Sequence, residues 1–279
     1  MKTNFKMSGA SVVDAPLKFD FREFLLRVRR FYSRYGAYST IRRAYVLLRK
    51  KDPYKQTVTL LSKQGNEVVF SKIYENNLWQ VAETRSGLGS TIEYTANIRK
   101  ALPEILTSLN VGTLVDAPCG DFNWMQAVEI PAGCKYLGID VVGEIVARNQ
   151  AGFGGPDRSF LKLDITRDRL PKADLIFCRD CLFHLSYKDI FGFLTNFVDS
   201  GSHYLMTSTH KNQDGFPNKD ILSGDFRVID LFSEPFLLPT DVLARVDDYL
   251  EPDPPREMVV WPREAIRGAL SKSAFKVHD

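Results

Sequence analysis

From residue 112 onward the chain alternates short apolar runs with amphipathic stretches. The apolar runs predict strands over 113–117, 135–140, 160–163, 173–178 and 203–209. Between them, apolar positions at three- and four-residue spacing predict helices near 122–128, 143–150 and 187–199, with a short connection at 165–171. Strands alternating with helices in this way predict an α/β protein with a parallel, doubly wound, Rossmann-like sheet. Right-handed crossovers then bring the carboxyl ends of all strands to one rim. Beyond residue 211 the pattern loosens. A strand near 227–231, a proline-rich linker at 252–255, a strand at 257–261 and a short helix after Pro262 suggest an antiparallel pair finishing the sheet.

Ahead of the sheet, Ile98, Leu102, Ile105 and Leu106 mark a helix across 91–109, with Ser90 or Thr91 as its cap. Residues 57–61 and 67–70, separated by Ser62-Lys-Gln-Gly-Asn66, read as a small hairpin. The stretch Ser71 to Trp79 and the run Ser86-Gly-Leu-Gly-Ser90 lead into the helix. Small residues before a helix N-terminus make Ser86, Gly87, Gly89 and Ser90 a candidate lid or anion-holding turn, or else an ordinary loop. Further upstream, Phe21, Phe24, Leu25, Val28, Phe31, Tyr32 and Tyr35 form a helical stripe, and Tyr38, Ile41, Tyr45 and Leu48 a second. Three regions result: a basic helical extension at 1–55, a hairpin, lid and leading helix at 56–110, and a core with substrate elements at 111–279.

Charge sharpens this division. The net +3 of the 279 residues hides fourteen Lys/Arg against four Asp/Glu in residues 1–55, and twenty-three against thirty in the rest. A basic arm thus precedes an acidic body. Residues 20–51 either pack their aromatic face on the main domain, or offer a surface to an anionic membrane, a partner protein or a polyanion. Four cysteines form no secreted framework, and Cys178-x-x-Cys181 lacks the second pair of a zinc site, so no metal is expected. Residues 1–13 have no apolar centre for a cleavable signal, and no apolar run reaches the ~20 residues of a membrane span. The expectation is a cytoplasmic protein, with peripheral attachment to the inner membrane face open through the arm.

The candidate chemistry centres on Leu114-Val-Asp-Ala-Pro-Cys-Gly-Asp-Phe-Asn-Trp124 and, twenty residues after Gly120, Tyr136-Leu-Gly-Ile-Asp140. This is the grammar of a nucleotide-binding β-α-β unit, with Asp140 placed to accept hydrogen bonds from a ribose. The Gly-x-Gly-x-x-Gly fingerprint is missing. One glycine with Asp116 and Asp121 on either side would repel a pyrophosphate and suit a nucleoside that is uncharged or cationic there. S-adenosylmethionine fits, with its ribose, ammonium and sulfonium. Asp164, 179–184 and 208–210 fall at other strand ends, where ligands of such folds bind.

In these strand-end segments, together with Leu-Asp-Ile at the third strand and Phe-Cys-Arg-Asp-Cys-Leu-Phe-His-Leu-Ser after the fourth, the sequence resembles class I S-adenosylmethionine-dependent methyltransferases. It is similar to a bacterial subgroup that also carries Lys-Ile-Tyr-x-x-Asn-x-Trp and Ser-Gly-x-Gly-Ser-Thr, over about residues 70–262. The resemblance implies a methyltransferase using S-adenosylmethionine and releasing S-adenosylhomocysteine. It implies that Asp116, Ala117, Pro118, Cys119 and Gly120 hold the methionine end, with Asp121 and Trp124 beside them. Asp140 would hold the ribose, Val141, Asp164 and Ile165 the adenine, and Cys178 and Arg179 would line the reacting methyl. Tyr74, Trp79, the lid residues and Arg227 become substrate-side candidates.

For an acceptor hydroxyl a base is needed. His184 lies four residues after Asp180, which would share its face and orient it if the segment is helical; His210 is the rival. Arg179 would anchor a substrate anion, or pair internally with Asp180 or Asp164. No Asn/Asp-Pro-Pro-Tyr/Phe follows the fourth strand, which argues against adenine or amide N-methylation, and Cys119 is badly placed for cytosine C5 chemistry. A hydroxyl or carboxylate of a small molecule, glycan or glycolipid is the preferred acceptor. An RNA methyltransferase using the arm on phosphates, and a catalytically inactive nucleotide-fold scaffold, remain the alternatives.

Overall fold

The computed structural model describes residues 53–251 and 253–273. The two striped segments before residue 52, and every role assigned to the basic arm, lie outside the described residues. Within them, α1 (Pro53–Leu61) and α2 (Asn66–Glu75) come first, and α3 (Ala96–Ser108) precedes the sheet. The sheet runs β1 (Thr113–Asp116), β2 (Lys135–Asp140), β3 (Arg158–Lys162), β4 (Leu175–Cys178), β5 (Tyr204–His210), β6 (Ala244–Asp247) and β7 (Arg256–Pro262). Helices α4 (Gly143–Phe153), α5 (Tyr187–Ser200) and α6 (Arg263–Lys272) complete the set.

Strand order is β3-β2-β1-β4-β5-β7-β6. The first five pair in parallel, β5 meets β7 antiparallel, and β6 meets β7 antiparallel. The doubly wound sheet with an antiparallel finish is therefore present. Strand β4 reads as an unbroken apolar run because helices cover both faces. One face carries α5 and α6 over Ile176, Leu205 and Trp261; the other carries α3 over Leu114, Met206 and Met258. Helix α5 has clear stops: Ser186 Oγ accepts from the Asp189 N–H at its start, and Gly201 takes φ 74° at its end.

Four expectations are overturned. The hairpin at 57–70 is the helix pair α1 and α2, turning at Gly65 (φ 98°). The β-branched residues 57–58 and 68–69 imitate strands, but Val69 and Ile73 are buried at helical spacing and Pro53 starts α1 with its φ already set. The helix at 122–128 is a single 3-10 turn at Met125–Ala127, because Phe122 sits at φ 60° and breaks the entry. Ser90 and Thr91 do not cap α3; Thr95 precedes it with no side-chain cap, while Thr91 Oγ1 donates to the Leu88 carbonyl. No strand forms at 227–231, whose backbone bonds instead to side chains and to β5; the second antiparallel strand is β6.

Among the described residues no helix is long and apolar enough to cross a membrane. All four cysteines are buried free thiols.

Candidate active site

A cavity of about 990 Å3, including its open mouth, lies at the carboxyl rim of β1, β2 and β4. Its floor is the turn after β1. Asp116 is buried there and accepts from the Tyr136 hydroxyl at 2.6 Å. Burial pushes its carboxyl up to about 7; the Tyr136 bond opposes this and Asp140 adds to it. Asp140, at the end of β2, accepts from the Gly120 N–H at 3.1 Å and the Val142 N–H at 2.9 Å. It too is raised by burial, to about 6, with those backbone bonds holding it down. Gly120 takes φ 55°, and a Cβ there would meet Ser86 Oγ at 2.5 Å, so glycine suits both the turn and the close approach of the loop above. Asn149 of α4 fixes the turn by donating to the Gly120 carbonyl at 2.8 Å.

Beside the acids is an apolar slot. Val142, Ile145 and Tyr74 are buried together, with Phe70 and Val141 against them. Asp164 and Ile165 close its far side, Asp164 accepting from the Thr166 N–H and hydroxyl at 2.9 and 2.7 Å. The Asn66 amide donates to Thr166 Oγ1 at 3.0 Å, tying α2 down over this end.

The roof is the 84–91 loop, which contributes Arg85, Ser86 and Ser90 to the wall. It is held at two places. On one side Asp121 accepts from the Thr84 hydroxyl (2.7 Å), the Arg85 N–H (2.9 Å) and the Ser86 hydroxyl (3.0 Å). On the other, Arg179 Nη1 donates to the Gly89 carbonyl at 2.7 Å. Arg179 is buried and bidentate on Asp248, at 2.8 and 3.1 Å, with its plane over Trp124. Three of its five N–H donors thus go to Asp248 and Gly89, and its ion pairs are with Asp248 and Asp180, not Asp164. Asp180 leaves β4 at φ 52° and lies 3.1 Å from Arg256 Nη2. Arg179 and then Arg256 hold its carboxyl below the usual range against the effect of burial. A Cβ on Gly89 would stand 2.2 Å from Asp180 Oδ2, so only glycine seats the loop here.

The last wall is His184, Leu185, Cys181 and Trp79. The His184 Nδ1 lies 2.8 Å from the Asp225 carbonyl. A carbonyl only accepts, so Nδ1 carries the proton and neutral His184 keeps a lone pair on Nε2. Burial lowers its basicity, while the Asp225 bond and Asp180 act the other way. Asp180 is not its hydrogen-bonding orienter: the 3-10 turn Leu182–His184 replaces the helix that would have stacked the two, and Asp225 takes that part.

The cavity wall therefore gathers Asp116, Pro118, Cys119, Gly120, Trp124, Asp140, Val141, Asp164, Ile165, Arg179, Asp180 and His184, with Tyr74, Trp79, Ser86 and Ser90. Other candidates lie outside it. Ala117 is in the core, and Asp121 stands behind the turn as a loop clamp. Cys178 is wholly buried, with its carbonyl accepting from Thr207; Cys181 takes its place in the wall. Gly87 packs near Trp79 and Gly89 on Asp180, as loop supports. His210 is 2% exposed and outside the cavity wall, its Nδ1 accepts from the Ile229 N–H, and burial pushes it down to about 4. Arg227 is buried behind the wall. Missed by sequence reasoning were Phe70, Ile145 and Asn66, whose helical spacing was misread or unread, and Asp248 and Arg256, for which no local signal exists.

No known protein-family model matches this sequence, and no curated protein matches it. Among solved structures the chain is matched by human N-acetylserotonin methyltransferase in complex with SAM, at 13% identity and TM-score 0.52, over 84% of this chain and 68% of that one. Magnesium protoporphyrin IX methyltransferase from Synechocystis PCC 6803 with bound SAH gives 12%, TM-score 0.47, and 61% and 84% of the two chains. The N-methyltransferase NodS from Bradyrhizobium japonicum WM9 gives 14%, TM-score 0.45, and 61% and 96%. The fold of the chain is that of the class I S-adenosylmethionine-dependent methyltransferases.

Proposed function

We propose that this chain is an S-adenosylmethionine-dependent methyltransferase acting on a hydroxyl, or a carboxylate, of a small molecule or glycan. The observation that carries this is one cavity joining two crowded buried acids, Asp116 and Asp140, to the lone pair of His184. Acids raised toward neutrality by burial are relieved by a cation, and the adjoining Val142, Ile145 and Tyr74 slot suits a flat base. The residues present therefore fit the donor: Asp140 for the ribose, Asp116 and the Gly120 turn for the charged end, and Val141, Asp164 and Ile165 for the adenine.

When bound, S-adenosylmethionine supplies an electrophilic methyl for in-line displacement. The chain's own work is alignment, exclusion of water and proton removal. Arg85, Ser86 and Ser90 roof the cavity, and Trp79 covers its acceptor side with its ring 5.6 Å from that of His184. His184 Nε2 accepts the proton of the acceptor hydroxyl; a carboxylate acceptor needs no such step. Titration calorimetry with S-adenosylmethionine is the direct test. Micromolar binding that weakens on S-adenosylhomocysteine addition is expected, and a wild-type protein that binds neither would end this assignment.

A further inference from the structure

We propose that Arg227 is a positioning residue: with the 223–227 segment it grips the backbone on both sides of His184 and holds the imidazole with its Nε2 lone pair toward the cavity. This rests on His184 as the base. Three successive carbonyls of the wall are taken by this segment. The Arg227 N–H donates to Phe183 at 3.1 Å, the Gly224 N–H to His184 at 2.7 Å, and Arg227 Nη1 to Leu185 at 2.7 Å. The segment returns the favour at the ring, where the Asp225 carbonyl accepts from Nδ1 at 2.8 Å. Ser223 Oγ extends the seam by accepting from the Ser186 N–H at 2.8 Å. The rings of Phe183 and Phe226 stand 4.8 and 5.7 Å from that of His184 and limit its swing.

Arg227 is an unusual residue for purely structural service. It is 8% exposed, and its Nε and Nη2 are buried without a hydrogen-bond partner. Its guanidinium lies over the Tyr187 ring and meets no carboxylate in any ion pair among the described residues. A buried cation so poorly compensated costs stability. What it supplies is a fixed positive charge behind His184, which disfavours the imidazolium and keeps the lone pair available. The other charged or titratable groups facing His184 are Asp180 from the end of β4, Arg256 from β7, His210 from β5 and the Cys181 thiol. Asp180 favours the imidazolium, while Arg227 and Arg256 oppose it.

The test uses the full chain. Nitrogen-15 spectra of the wild-type histidines should show His184 as the Nδ1–H tautomer. In Arg227→Met the positive charge is gone, so the imidazolium is favoured and His184 should titrate at higher pH. The acid limb of kcat/KM should move to higher pH with it, and plateau kcat should fall roughly tenfold or more from loosened geometry. Arg227→Lys keeps the charge and should restore the wild-type titration. An Nε2–H tautomer in the wild type, or a His184 titration unmoved in Arg227→Met, would overturn the proposal. If Arg227→Met does not fold, the wild-type tautomer and the Arg227→Lys titration decide, and a displaced titration in the lysine variant counts against it. Calorimetry with S-adenosylmethionine runs alongside: failure to bind sinks the methyltransferase assignment while leaving tautomer and titration standing.

Discussion

The two ends of the cavity are built in different ways. The end around Asp116, Asp140 and Asp164 comes from three strand-to-turn units, and its contacts join neighbouring strands or residues a few positions apart. The end around His184 is assembled from five remote pieces: Trp79, the 84–91 loop, 179–185, 223–227 and the pair Asp248 and Arg256. The first is backbone geometry that the sheet imposes, so it recurs wherever the sheet does. The second is side-chain geometry held by long-range bonds, and under the proposed function it would set the acceptor.

If the two ends are as separable as this, substitutions should divide binding of the donor from turnover. The largest effect is expected for His184→Gln, with kcat lower by about 10²–10⁴ and S-adenosylmethionine affinity unchanged by calorimetry; parallel losses of both would erase the division. Asp140→Ala should do the reverse, weakening donor affinity by roughly tenfold to a hundredfold, the ~1.5–3 kcal/mol of charged hydrogen bonds. Retained affinity there removes Asp140 from the donor end. Gly89→Ala, which drives a methyl against Asp180, should weaken S-adenosylhomocysteine by about tenfold, or ~1.4 kcal/mol, and speed hydrogen exchange at 86–91. An unchanged exchange rate would mean that the loop is not seated by this contact.

The smallest effect concerns pH. Burial pushes Asp116 up to about 7 and Asp140 up to about 6. A cationic ligand favours their ionised forms, so binding lowers both values and releases protons. Affinity should therefore climb as pH rises through that window and flatten above about 7, by a few-fold per group. Calorimetry in two buffers of different ionisation enthalpy reads the released protons directly, and none released at pH 6.5 would contradict the sign.

The same contrast explains what was legible beforehand. Strand β2 was predicted at its observed limits, Lys135–Asp140, because an apolar run ending in an acid is a local signal. The five parallel strands and the acids at their ends followed from such runs. On sequence α1 and α2 imitate a hairpin, because β-branched residues around a glycine look alike in either state until Val69 and Ile73 find a common core. Arg179 was expected at the rim, but its partner Asp248 stands 69 residues away and leaves no mark in the local pattern. His184 is a candidate on sequence, but the helix that would bring Asp180 beneath it is cut short by Asp180's own positive φ, and the Asp225 carbonyl meets its Nδ1 instead. Arg227 is a substrate-side candidate on sequence and stands instead behind His184, bonded to the Phe183 and Leu185 carbonyls.

The roof loop, fastened by Asp121 at one side and by the buried Arg179 at the other, bears on the order of events in a catalytic cycle. Under the proposed function, parting either fastening would open the roof over the spent nucleoside, whereas neither need move for the methyl to pass. Emptying the site would then be slower than the transfer, and mixing excess acceptor with loaded enzyme should give a rapid first equivalent of methylated product followed by a slow steady state.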